Sequence, residues 1–216
     1  MPARIESPAV AEPEAQVEAL AEAGRFIEAV RLAESAPAGM RDTLLSAACL
    51  LWAINDPRAA ACYVLAQADP ATRSSLLKLV ASVWAAGPQA PELVAFALGV
   101  SAEAERRILL DAGLTTWVAR DVIEAAGWLS RQTMRAELDE GFSALATHPA
   151  VLAAQPDLAA DWAARVTDVD LRRAALTTAL KALHRINPAN ADRRLDEDTT
   201  LDRVEMNHLR EILADS

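Results

Sequence analysis

The sequence predicts an all-α fold: a short α-solenoid of about six antiparallel helix pairs, each roughly 31–34 residues long, closed by a C-terminal capping helix. Three observations predict it. Ala, Leu and other good helix formers dominate, an apolar pattern keyed on tryptophan recurs at a fixed period, and the turn after each tryptophan repeats its chemistry. Hydrophobic residues make up 52% of the 216, yet Phe, Trp and Tyr together reach only 4% and there are only seven Gly. That balance favours helix, because straight-chain side chains lose little freedom on a helix whereas strands draw on β-branched and aromatic ones.

The period comes from Trp52, Trp84 and Trp117, spaced by 32 and 33 residues. Counting each Trp as zero, positions −8, −7, −4, −3 and 0 are apolar or small. They read Leu44, Leu45, Ala48, Cys49, Trp52; then Leu76, Leu77, Val80, Ala81, Trp84; then Leu109, Leu110, Gly113, Leu114, Trp117. Spacings of three, four and seven place them on one helical stripe. A fifth unit restores the stripe with Ala175, Leu176, Ala179, Leu180 and Leu183. A fourth fits with Leu138, Gly141, Phe142 and Leu145, with Glu137 at −8.

The turns follow. Asp56 before Pro57, Gly87 before Pro88, Gln155 before Pro156 and Asn187 before Pro188 place Pro at the opening of a second helix, and Asp121 caps without one. Pro suits a first helical position, and Asp, Asn or Gly before it suits an N-cap. Six residues beyond stands a large side chain: Tyr63, Val94, Trp128 or Trp162. First helices are expected to start from Asp69, Ser101 and Thr167. Between the fourth first helix and Pro156 the connection is about six residues longer than elsewhere, so 148–153 reads as an insertion. Residues 1–14, with Pro2, Pro8 and Pro13 among acids, read as a disordered tail, leaving 15–216 as one helical domain. At the other end Leu201, Val204, His208, Leu209, Ile212 and Leu213 share a face of the capping helix.

The period near 34, and the N-terminal run Ala23, Gly24, Arg25, Phe26 followed by Glu28 and Ala29, resemble the tetratricopeptide and HEAT-like α-solenoid superfamily. The wording around Trp52, with Asp56, Pro57 and Ala60 behind it, looks like a class of bacterial helical repeats. In most units the Trp falls late in the first helix, and Pro opens the second helix instead of closing it. The resemblance implies a protein-binding scaffold, on analogy of fold.

Formal charge is −10, from 31 acids against 21 bases. Gripping phosphates needs a basic face, so nucleic acid is not an expected partner. No apolar run approaches the roughly 18 residues of a membrane span, and no partnership with a membrane is expected. Cys49 and Cys62 both read as small buried apolar residues, not a disulfide framework, which fits a reducing compartment, the cytoplasm.

Catalytic constellations are not legible. Glu205 and His208 have half the spacing of a di-iron bundle, whose second pair is missing. No cysteine or histidine zinc motif, calcium loop, nucleophile elbow or glycine-rich phosphate loop occurs. Asp139 and Glu140 are adjacent and diverge by about 100° on a helix, so they cannot flank one substrate. The expectation is a protein that is not an enzyme and uses no cofactor or metal.

A binding role points instead to the first helices, whose positions −10, −6 and −2 face away from the stripe. Row −10 reads Asp42, Ser74, Arg107, Arg135, Arg173; row −6 reads Ser46, Lys78, Asp111, Asp139, Thr177; row −2 reads Leu50, Ser82, Thr115, Ser143, Lys181. Arg107, Arg135 and Arg173 would form a ladder for carboxylates of an acidic peptide, and Lys78, Asp111, Asp139 and Lys181 would line the same concave groove. An ordinary solvated face with i,i+4 pairs Arg107–Asp111 and Arg135–Asp139 is the plainer reading of these rows. The expected partner is a peptide or helix of another protein. Two alternatives stand beside it: an all-α enzyme or ligand-binding protein with a site near His148, and a homo-oligomer formed through the C-terminal helix.

Overall fold

The computed structural model describes residues 12–197 and 203–214. Among these every regular element is helical. The chain divides into two compact units, residues 1–89 and 90–216.

The first unit holds α1 (Pro13–Glu22), α2 (Phe26–Ser35), α3 (Ala38–Asn55), α4 (Pro57–Leu65) and α5 (Pro70–Ala86). Helix α1 begins inside the tail expected over 1–14; residues 1–11 lie outside the described ones. Gly24 ends α1 with φ +74°. Its N–H donates to Ala21 O, and the Arg25 N–H reaches back to Leu20 O, so two orphan carbonyls are satisfied by a left-handed residue. The stripes of α3 and α5 are buried as the pattern predicts, and α3 packs against α1, α2, α4 and α5. Phe26, Trp52 and Tyr63 form an aromatic run, with centroids 5.8 and 5.4 Å apart. Cys49 is buried, which pushes its thiol up to about 12. Cys62, expected to be buried, is exposed on α4: Ala60, Ala61 and Val64 hold the buried face of that short helix instead.

The second unit holds α6 (Ala90–Leu98), α7 (Glu103–Arg120), α8 (Val122–Leu129), a 3₁₀ turn (Ala136–Leu138), α9 (Asp139–Thr147), α10 (Pro149–Ala154), α11 (Pro156–Ala163), α12 (Val169–Ile186), α13 (Pro188–Glu197) and α14 (Arg203–Ala214). Helix α6 starts at Ala90, not at Pro88. Asp56, Asp121 and Asn187 act as expected, each taking the N–H three residues on, while Gln155 makes no side-chain cap. Asp69 caps α5, but Ser101 and Thr167 miss by one residue: Ala102 precedes α7, and Asp168 caps α12. Aromatic pairing recurs here, with Trp117 against Trp128 at 5.7 Å and Phe142 against Trp162 at 6.0 Å. Trp162 is buried and Trp128 half-buried. Two glycines on the stripe set interhelical distances. A Cβ on Gly113 of α7 would meet Val94 Cγ2 of α6 at 2.9 Å, and one on Gly141 of α9 would meet Leu114 Cδ1 of α7 at 3.1 Å. In α14, Leu209 and Leu213 are buried, whereas Val204 and His208 are exposed, so His208 is not the packed histidine the pattern suggested. Leu201 lies outside the described residues.

A feature that the sequence reading passed over runs through both units. The residue at −11, next to the row singled out above, is Arg41, Arg73, Arg106 and Arg172. Each guanidinium turns back to a carbonyl of the connection before its own helix: Arg41 to Ala36 O, Arg73 to Gln67 O, Arg106 to Val100 O and Ser101 O, Arg172 to Val166 O and Thr167 O. Carbonyls at a helix end lack intrahelical donors, and a guanidinium with five N–H groups can serve two of them. Between α8 and the 3₁₀ turn no Arg stands at −11. There Arg165, from the end of α11, donates to Gln132 O and lies 4.5 Å over the Phe142 ring.

Candidate functional site

The expected groove residues separate on inspection. Lys78 is exposed on α5 of the first unit, where Asp42 and Ser46 of α3 share a groove of about 220 Å³ with Thr72 and Ser75 of α5. The remaining candidates belong to the second unit.

The arginine ladder is not the arrangement found. Arg107 on α7 lies 4.0 Å from Asp111, as the i,i+4 spacing predicts. Arg173 on α12 pairs with Asp170 at 3.1 Å. Arg135 is exposed, but it sits on extended backbone before the 3₁₀ turn and so leaves the helical row. The fourth first helix starts later than the repeat predicts, which breaks the register at that point.

Asp139 is a correction of greater consequence. Expected on the surface and paired with Arg135, it is 2% exposed. Its carboxylate accepts from the Thr167 N–H at 2.8 Å, the Thr167 hydroxyl at 2.8 Å and the Asp168 N–H at 2.7 Å. A buried carboxylate with three donors is a structural anchor for the α11–α12 connection. Asp111 is half-buried and its carboxyl is pushed up to about 6, chiefly by desolvation and then by Glu140 of α9, with Arg107 opposing.

The insertion does form an element of its own. His148 ends α9 and precedes α10, which packs against α9, α11 and α12. No residue of α10 is fully buried. His148 is half-buried, and its Nδ1 has no hydrogen-bond partner in the structure. Between α10 and α12 lies an open groove of about 490 Å³, lined by Pro149, Leu152, Ala153, Thr178, Lys181, Ala182, Arg185 and Ile186. Of the sequence candidates it holds Lys181. Arg185, one helical turn further on, was missed because it stands at +2, beyond the rows considered. Ile186 is 64% exposed beside it. Among the described residues, Lys181 and Arg185 have no ion-pair partner and no acidic side chain lines the groove.

That set of side chains can do two things: bury apolar surface, and hold negative charge at two points about 6 Å apart along α12. Among the described residues no group of three or more His, Cys, Asp or Glu is placed to hold a metal ion, and no helix is long and apolar enough to cross a membrane. Comparison with protein-family models, with curated proteins and with solved structures gives no match.

Proposed function

We propose that the chain is a non-catalytic protein–protein interaction module, an α-solenoid of stacked helix pairs that holds a peptide or helix of another protein against its first-helix faces. The observation that carries this reading is the groove between α10 and α12. It combines an apolar floor with two cations lacking ion-pair partners, on an element that breaks the repeat and buries no residue of its own. Elements not needed for stacking are where repeat proteins commonly place binding.

The recurring tryptophan contacts and arginine-to-carbonyl bonds support the solenoid part of the reading, since several units then share the same local rules. An exposed, unbridged Cys62 suits a reducing compartment such as the cytoplasm.

The test is affinity capture from native cell extract, followed by remixing of the purified captured protein with the chain. A stoichiometric complex with micromolar or tighter Kd, mapped by hydrogen exchange to a first-helix face, is the expected result. Captured material that forms no defined complex when remixed would remove the reading.

A further inference from the structure

We propose that the groove between α10 and α12 binds an acidic amphipathic α-helix of a partner protein, with its carboxylates set against Lys181 and Arg185. The proposal rests on the reading of the chain as an interaction module and specifies the ligand's chemistry.

Charge is the first argument. The chain carries 31 acids against 21 bases, yet among the described residues the groove is lined by one lysine, one arginine and no acid. Several other arginines of the second unit are engaged at close range: Arg106 with Glu137 at 2.8 Å, Arg194 with Asp157 at 3.3 Å, Arg173 with Asp170 at 3.1 Å. A cation pair left over on an acidic molecule fits a negatively charged occupant.

The second argument concerns backbone. On the α12 wall, the main-chain groups of Thr178, Lys181 and Ala182 are bonded within the helix. The remaining polar group of the lining, the Thr178 hydroxyl, donates to Ala174 O at 3.0 Å. An extended peptide would therefore bring N–H and C=O groups to an α12 wall that offers little beyond its two cations to bond them. A helix brings its backbone already satisfied, and its side chains can meet Leu152, Ala182 and Ile186 as one amphipathic helix meets another.

Spacing completes the case. Lys181 and Arg185 stand one turn apart, so acids at i and i+4 of the incoming helix match them, with apolar residues on the same face between. Helix α10, six residues and about 9 Å long, gives a footprint of about two turns.

The test uses a display library of 16-residue helical peptides in which the positions of one face vary among Leu, Ala, Glu, Lys and Gln. Wild-type chain is expected to enrich peptides with Leu flanked by Glu at i,i+4, binding with micromolar Kd and several-fold more weakly when salt rises from about 50 to about 300 mM. Lys181→Glu with Arg185→Glu should weaken these peptides at least tenfold and turn the preference to Lys-bearing peptides. Ala153→Trp, which fills the groove from an exposed position, should weaken them without changing the melting temperature. Enrichment of peptides that bind equally well to all variants overturns the groove assignment while leaving the interaction module standing. Absence of any enriched peptide counts against both. A concentration-dependent dimer lost in the double variant, or binding to phosphatidylserine vesicles lost in it, would give the groove to a second copy or to a lipid surface and overturn the partner helix.

Discussion

Asp139 and Thr167, 28 residues apart in the chain, meet through two hydrogen bonds to one carboxylate: the Thr167 N–H donates to Oδ1 and its hydroxyl to Oδ2, each at 2.8 Å. With the Asp168 N–H also donating to Oδ2, the first turn of α9 fixes the point from which α12 departs. Asp139→Ala leaves two backbone donors without that acceptor and should destabilise the chain by about 3 kcal/mol, whereas Thr167→Ala should cost about 1. Urea unfolding at neutral pH measures both; equal and small effects would show that the anchor is dispensable.

The arginines at −11 differ in what they hold, and that difference ranks them. Arg106 serves two carbonyls and pairs with a half-buried Glu137. Arg41 serves one, at 3.3 Å. Replacement by Met keeps the stem and removes the donors, so Arg106→Met should cost about 2 kcal/mol and Arg41→Met about 0.5. Thermal melts of the two variants give the order directly.

Gly113 and Gly127 respond oppositely to the same change. At Gly127 in α8 an added Cβ meets nothing within 4 Å, so alanine brings only its helix propensity, roughly 0.5–1 kcal/mol of stabilisation. At Gly113 the added atom lies 2.9 Å from Val94 Cγ2 and 3.3 Å from Leu93 Cγ. Helices α6 and α7 must separate, and overpacking of about 1–3 kcal/mol outweighs the propensity gain. Chemical denaturation of the two single variants should therefore move in opposite directions.

Asp111 gives a pH signature. Its folded-state carboxyl is raised to about 6, so over the interval down to the ordinary value of 3.8 the folded chain binds a proton that the unfolded chain does not. The contribution of this group to stability therefore grows as pH falls through about 6, opposite to the usual carboxylate. Its side chain is 39% exposed, and solvent screening holds the effect below about 1 kcal/mol. Asp111→Asn should be more stable than wild type at pH 7, with the difference vanishing toward pH 4. A difference that stays constant across that range would contradict the assignment.

The helical class and the core were legible because burial imposes a period. The stripe through Leu44, Leu76, Leu109 and Leu176 is apolar for one physical reason in those four units, and the structure buries it in each. Surface rows carry no such constraint, and the extrapolation failed where the period itself slipped. The fourth first helix begins about two turns late, with Asp139 buried in its first turn and Arg135 left on extended backbone. The −11 arginines were visible as identities in the sequence. What was absent was their direction: a long side chain at the start of a helix can run outward or back to the preceding carbonyls, and spacing does not distinguish the two. Of the groove, Lys181 and the inserted segment were legible separately. Their meeting was not, since it depends on how α10 lies across α12.

The inserted helix also bears on how such a molecule changes over generations. No residue of α10 is fully buried, so substitutions along it are screened weakly by folding and strongly by whatever occupies the groove. Helix α12 is constrained along its buried stripe, Ala175, Leu176, Ala179, Leu180 and Leu183, whereas Lys181, Arg185 and Ile186 lie off that stripe. The groove-facing positions of both helices can thus drift while the buried stripe of α12 stays fixed. On the proposed reading, a lineage would acquire a new ligand here by altering groove-facing residues and leaving the helical core alone.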